Sequence, residues 1–179
     1  MQRLIAILSV LLMAAPASAY RRPVAAEHWS DAAQITLARA MVGEADWHEP
    51  DHVAIAFVLA RRFRTHQLNR APMSFERYIQ LYAASLRSDS PRSQWVQSLP
   101  WGPMPGPYEQ RWDRVRRLVT AWGEGRVKDP CPKALHWGGT MDRPSRRWSP
   151  ISCGMTRNIF YTHRERSTQP VAPQALTRR

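Results

Sequence analysis

Residues 31–65 read DAAQITLARAMVGEADWHEPDHVAIAFVLARRFRT, and the fold follows from how that stretch divides. Asp31 suits a helix cap. A helix from there to about Ala45 puts Leu37, Ala40, Met41 and Glu44 on one face, because helical residues three and four apart are neighbours. Glu44 therefore ends an apolar stripe and is expected to face the interior. Pro50 suits the first position of a second helix, where its missing N–H is no loss. Asp51 in that first turn complements the helix dipole. Val53 to Ala60 is an apolar run without alternation. With its alanines and its continuation through Arg61, Arg62 and Phe63, it predicts a central buried helix ending near Thr65.

Outward from this pair the pattern stays helical. Ser74 can cap a third helix, with Glu76 in its first turn, reaching about Arg87. Residues 88–107 are rich in Ser, Pro and Gly and read as a long surface loop holding Trp95 and Trp101. A fourth helix is expected from about Tyr108 to Glu124. Trp112, Val115, Leu118, Val119 and Trp122 form its apolar face, and Gly125 supplies the stop. Beyond Asp129-Pro130-Cys131-Pro132, Ala134–Trp137 and Ile159–Thr162 read as short strands around a Gly/Pro/Arg loop. The class is α+β, mainly helical, with a small C-terminal strand and loop region.

The chain opens with a different signal. Arg3 precedes the apolar run Leu4–Ala15, Pro16 breaks it, and Ala17-Ser18-Ala19 has the small-x-small form that a signal peptidase reads. The run falls short of the roughly 20 residues a membrane span needs. We expect export with cleavage after Ala19, periplasmic or extracellular residence, and no stable membrane insertion afterwards. Residues 20–30 read as an extended lead-in and 166–179 as a disordered polar tail.

The formal net charge of the chain is +12. Such a balance favours anionic partners, here acidic envelope polymers. Export and the scattered Arg61-Arg62, Arg116-Arg117 and Arg146-Arg147 pairs speak against nucleic acid. A solvated basic surface with no specific polyanion is the plainer alternative. Cys131 and Cys153 are an isolated pair, read as a disulfide in an oxidising compartment. Neither lies in a helix-opening context that would make it a nucleophile.

Three constellations carry chemistry. The first is Gly43-Glu44-Ala45. A carboxyl on an apolar face resists ionisation, and one that keeps its proton can protonate a glycosidic oxygen. The plainer reading pairs Glu44 with an arginine such as Arg39. The second is His48-Glu49-Pro50-Asp51-His52, literally an H-E-x-x-H string. That motif binds zinc when both histidines share one helix face. Pro50 argues against it, because a proline that opens the helix leaves His48 outside. A third ligand would be Glu76 or His136. The third constellation is Ala134-Leu135-His136-Trp137-Gly138-Gly139, where an aromatic beside glycines suits a sugar groove. Trp112 and Trp122 read as core; Trp47, Trp101, Trp137 and Trp148 fall in turns or loops.

In order, these pieces are an Ala-Arg helix ending in Gly43-Glu44-Ala45, then Glu49-Pro50, then Val53–Leu59, and far downstream Ala134-Leu135-His136 and Asn158–Tyr161. This resembles the SleB-like cell-wall hydrolases, the spore-cortex-lytic group, over about residues 35–163. The family's usual Glu-Ala-Arg-Gly-Glu is here Glu44-Ala45-Asp46-Trp47-His48-Glu49. Its Asn-Arg is Ala60-Arg61, and Trp-Gly-Gly follows His136 in place of an aromatic-Asn pair. The resemblance implies a lysozyme-like fold over 31–165 and a cofactor-free, metal-free enzyme acting on peptidoglycan. It further implies cleavage of the β-1,4 bond between N-acetylmuramic acid and N-acetylglucosamine, with Glu44 as catalytic acid and 1,6-anhydro products of a lytic transglycosylase.

The alternative outcome at the same bond is muramidase-type hydrolysis, which usually takes a second carboxylate, for which Glu49, Asp46 and Asp142 are the candidates. His136, Trp137 and Tyr161 are the expected substrate-binding residues, and the protein is expected to be a monomer. The competing readings are a zinc peptidase or amidase using His48 and His52, a non-catalytic peptidoglycan-binding protein of the same fold, and a cationic protein acting by charge alone.

Overall fold

The computed structural model of the chain describes residues 22–139, 142, 145–154 and 156–164. The export segment and the polar tail read from the sequence lie outside the described residues. Within them the protein is mainly helical, with five α-helices and one three-stranded antiparallel sheet.

Helix α1 (Asp31–Ala45) is the hub. It packs against all four other helices and against a 3-10 turn at Ala84–Leu86. Ala33, Ala38 and Ala40 are fully buried beside Leu37, Met41 and Val42, so helices approach on several sides. The helix that follows is buried along its apolar run as expected, with Ala54, Ile55, Ala56, Val58, Leu59 and Ala60 fully buried. Ser30, not Asp31, is its cap, accepting from the Ala33 N–H at 3.1 Å. Asp31 is the first helical residue, where its charge favours the dipole.

Helix α2 (Glu49–Asn69) runs four residues past Thr65. No glycine or proline intervenes, and Asn69 folds its amide back onto the Thr65 carbonyl at 2.7 Å. Pro72 then disfavours helix at the residue before it. Helix α3 (Phe75–Tyr82), capped by Ser74, stops short of Arg87 and passes into the 3-10 turn. The expected long loop contains helix α4 (Pro91–Ser98), with Ser90 as cap and Pro91 in its first turn. That Ser-Pro signal was present in the sequence. Before α1, the lead-in includes a 3-10 turn at Ala26–His28.

Helix α5 (Glu109–Gly123) ends as expected. Gly125 has φ +73°, and the N–H groups of Gly125 and Arg126 reach back to the carbonyls of Trp122 and Ala121. This paired arrangement satisfies the last orphan carbonyls. Gly123 faces the Trp29 indole so closely that a Cβ would overlap the ring.

The sheet has the order β1-β3-β2, from β1 (His136–Gly138), β2 (Trp148–Ile151) and β3 (Ile159–His163). The sequence reading missed β2, which contains Pro150. A proline is tolerated there because β2 is an edge strand. It also started β1 two residues early, within the turn in which the Ala134 N–H reaches the Cys131 carbonyl. Trp137 lies in a strand, as the Ala134–Trp137 reading had it, Trp148 lies in β2 and not in a loop, and Trp112 and Trp122 are fully buried as expected.

Cys131 and Cys153 form a disulfide, their Cα atoms 5.1 Å apart. Arg61 of α2 braces the same region. It donates to the carbonyls of Ala134 at 2.8 Å and Cys131 at 2.9 Å, and its remaining nitrogen pairs with Asp129. Disulfide and arginine together fix the chain where it enters β1.

Candidate active site

Gly43 and Glu44 close helix α1 against the 3-10 turn. A Cβ at Gly43 would overlap the Ser85 side chain. Only glycine lets that turn come so near, and the approach brings the Ser85 N–H to Glu44 Oε1 at 2.8 Å. From the sheet, the Trp137 indole N–H donates to Oε2 at 3.2 Å. The Asn158 amide donates to the Glu44 carbonyl at 3.4 Å. Glu44 is thus held by three widely separated segments, its side chain half-buried. Arg39, the arginine the plainer reading assigned to it, instead donates to the Leu99 carbonyl at 2.9 and 2.6 Å.

Glu44 opens into a cavity of about 300 Å³. His136, Trp137, Asp142 and Asn158 line it from the C-terminal region, and Arg62 of α2, Tyr82 of α3 and Arg87 just after the 3-10 turn from the other side. The Arg62 guanidinium lies 5.2 Å from the centre of the Tyr82 ring. Burial first, then the nearby Arg62 charge, hold His136 below its ordinary 6.5, against the opposing pull of Asp142 and Glu44. Asp142 Oδ2 accepts from the Gly139 N–H at 2.7 Å and sits over Gly138, where a Cβ would crowd it.

The second-carboxylate candidates are separated by this geometry. Asp142 shares the cavity of Glu44. Asp46 and Glu49 line a different one. Asp46, at φ +54°, turns its carboxylate toward Arg92 at 3.4 Å. Of the expected substrate-binding residues, His136 and Trp137 line the cavity of Glu44 and Tyr161 does not. Tyr161 is buried opposite His136 in the β1–β3 register, the ring centres 6.0 Å apart. Trp148 stacks between His136 and His163, at 5.3 and 4.4 Å.

The H-E-x-x-H string has another use. Pro50 stands in the first turn of α2, so His48 precedes the helix. His48 Nδ1 is 3.0 Å from Asp51, and His52 Nε2 donates to the Asp46 carbonyl at 2.7 Å. Among the described residues no three His, Cys, Asp or Glu side chains gather in a metal-binding group. Asp51 is buried and accepts the backbone N–H groups of Arg157 and Asn158 at 3.0–3.3 Å. The sequence reading gave Asp51 only a dipole role. Here it ties the segment before β3 to α2 and so places Asn158 against Glu44. His52 is almost wholly buried, and desolvation lowers its pKa to about 4.

Ser85, Arg62, Tyr82 and Arg87 were not singled out in the sequence. Nothing local marks them: Ser85 reaches Glu44 through its backbone N–H, and Arg62, Tyr82 and Arg87 line the cavity, only because α2, α3 and the 3-10 turn pack against α1. Comparison with family models, with curated proteins and with solved structures finds no match. The SleB-like resemblance accordingly rests on the residues quoted for it.

Proposed function

We propose that the protein cleaves peptidoglycan glycan strands at the bond between N-acetylmuramic acid and N-acetylglucosamine, with Glu44 as the single general acid and base. The observation that carries this reading is a carboxyl group with both oxygens positioned by N–H donors, at the wall of a cavity that also offers an indole, an imidazole and two glycines. A helix ending in this glutamate, facing a small sheet across the cavity, supports a lysozyme-like description of the fold. The apolar leader and basic charge support export to the periplasm or beyond, and action on an anionic wall.

The chemistry follows from one carboxyl. Protonated Glu44 donates its proton to the glycosidic oxygen as the bond breaks. The substrate's 2-acetamido group stabilises the oxocarbenium-like centre. Glu44, now ionised, takes the proton of the sugar's own 6-hydroxyl, whose oxygen attacks that carbon. The product is a 1,6-anhydro end, and Glu44 returns to its acid form. No water is consumed. Trp137 would hold the carboxyl in place through both changes of charge. If water replaces the 6-hydroxyl, Asp142 is the carboxylate placed to share the work, since it alone of the three candidates lines the same cavity.

Glu44→Gln tests this directly. It keeps the shape and removes the exchangeable acid. Clearing of purified sacculi should fall by at least about 1,000-fold, in line with loss of both acid and base roles. A variant that clears them at the unmodified rate removes Glu44 from the reaction.

A further inference from the structure

A second cavity, of about 370 Å³, lies beside the α1–α2 turn. Residues close in sequence divide between the two sites: Glu44 and Asn158 line the first, Asp46, Trp47 and Arg157 the second. Three arginines line the second cavity. Arg111 and Arg114 stand one turn apart on α5, and Arg157 comes from the segment before β3. Their guanidinium groups pair with no acid among the described residues. Arg116 and Arg117 on the same helix differ, both pairing with Asp113, at 3.2 and 2.7 Å.

The acids around the second cavity do not balance it. Asp46 faces Arg92. Asp51 beneath is occupied by His48 and by the backbone of Arg157 and Asn158. Glu49 alone stands against three cations, all four residues being exposed. Like charges gathered in one concavity repel, and an anion placed among them relieves that repulsion. Arginine suits the task, because its planar fork matches carboxylate and phosphate oxygens. An aromatic group flanks the place. Trp47 stacks on Tyr108 at 5.5 Å, with Trp95 packed against both.

We infer that this cavity is a binding site for an oxyanion, a carboxylate or phosphate, gripped between Arg111, Arg114 and Arg157 with Trp47 as its apolar wall. The site is separate from the chemistry at Glu44, so its failure and that of the glycan-cleavage reading are told apart by Glu44→Gln, which should bind the anion as the unmodified chain does.

Titration calorimetry of the full chain at fixed ionic strength tests it, with tripolyphosphate and a short glutamate oligomer as the two probes. One or both should bind at one per chain, and the preferred probe tells a phosphate site from a carboxylate site. Arg111→Gln/Arg114→Gln should weaken binding at least tenfold, and Arg157→Gln likewise. Arg116→Gln/Arg117→Gln removes the same charge from the same helix and should change it less than twofold. Equal weakening by the two double variants would reduce the effect to diffuse surface charge and overturn the site. So would an unmodified chain that binds neither probe.

Discussion

The Trp137 indole N–H donates to Glu44 Oε2 at 3.2 Å, joining the end of the first helix to the first strand across 93 positions of sequence. Neither residue could hold this geometry alone. Trp137 stands on a short strand whose entry is fixed by Arg61 and by the disulfide, and Glu44 is pinned from the other side by Ser85.

Trp137→Phe keeps most of the apolar ring and deletes the donor. As Glu44 gives up its proton in the reaction, this contact becomes a hydrogen bond to a charged group, which contributes about 1.5–3 kcal/mol. Glycan release should therefore fall by about 10- to 100-fold, with the circular-dichroism spectrum unchanged. Release at the unmodified rate would mean that Trp137 does not position the acid.

Gly43→Ala should be destabilising out of proportion to one methyl group, because the added Cβ meets Ser85. Overpacking of this kind costs about 1–3 kcal/mol. Ser85→Gly removes the obstacle, so the same change made in that background should cost less than about 1 kcal/mol. Denaturant melts of the four proteins give the coupling. Additive losses would show that the helix and the 3-10 turn do not touch here.

His52 makes stability depend on pH. Its folded pKa of about 4 lies below the ordinary 6.5, so the unfolded chain binds the proton more readily. Stability is full above about pH 6.5 and drains away as the pH falls toward 4, by up to about 3 kcal/mol. His52→Gln should flatten the part of that slope between pH 6.5 and 5, before most carboxylates titrate. An unchanged slope in the variant would place the dependence elsewhere.

Replacing both Cys131 and Cys153 with serine should lower unfolding stability by about 3 kcal/mol, the chain-entropy value for a loop of this length. Arg61 still braces the loop in that variant. The protein should therefore fold, with a lower midpoint in thermal melts. A midpoint unmoved by loss of the bridge would show that Arg61 alone sets the loop.

Local patterns made much of the fold readable. The α1 stripe, the Pro50 start of α2, the Ser74 cap and the Gly125 stop all appear where neighbouring residues call for them. Helix α4 was hidden by the Ser, Pro and Gly of its surroundings, although Ser90-Pro91 announced its start. Strand β2 was hidden by Pro150, whose tolerance depends on an edge position that only the assembled sheet defines. At the site, Glu44, His136 and Trp137 were legible because a carboxyl on an apolar face and an aromatic beside glycines are each unusual. Tyr161, expected in the cleft as the end of the Asn158–Tyr161 motif, is instead buried away from the cavity of Glu44. Ser85 contributes only its backbone N–H, for which no side-chain pattern exists. Asp51 looked like an ordinary first-turn acid, and its two backbone partners lie more than a hundred positions away.

The most direct test of the account is mass spectrometry of the soluble products released when the purified protein and its Glu44→Gln variant are each incubated with purified sacculi. The account predicts anhydro-muropeptides, lighter by one water than hydrolysed ones, from the unmodified protein and none from the variant. Cut peptides with intact glycan, or equal release by both proteins, would contradict it.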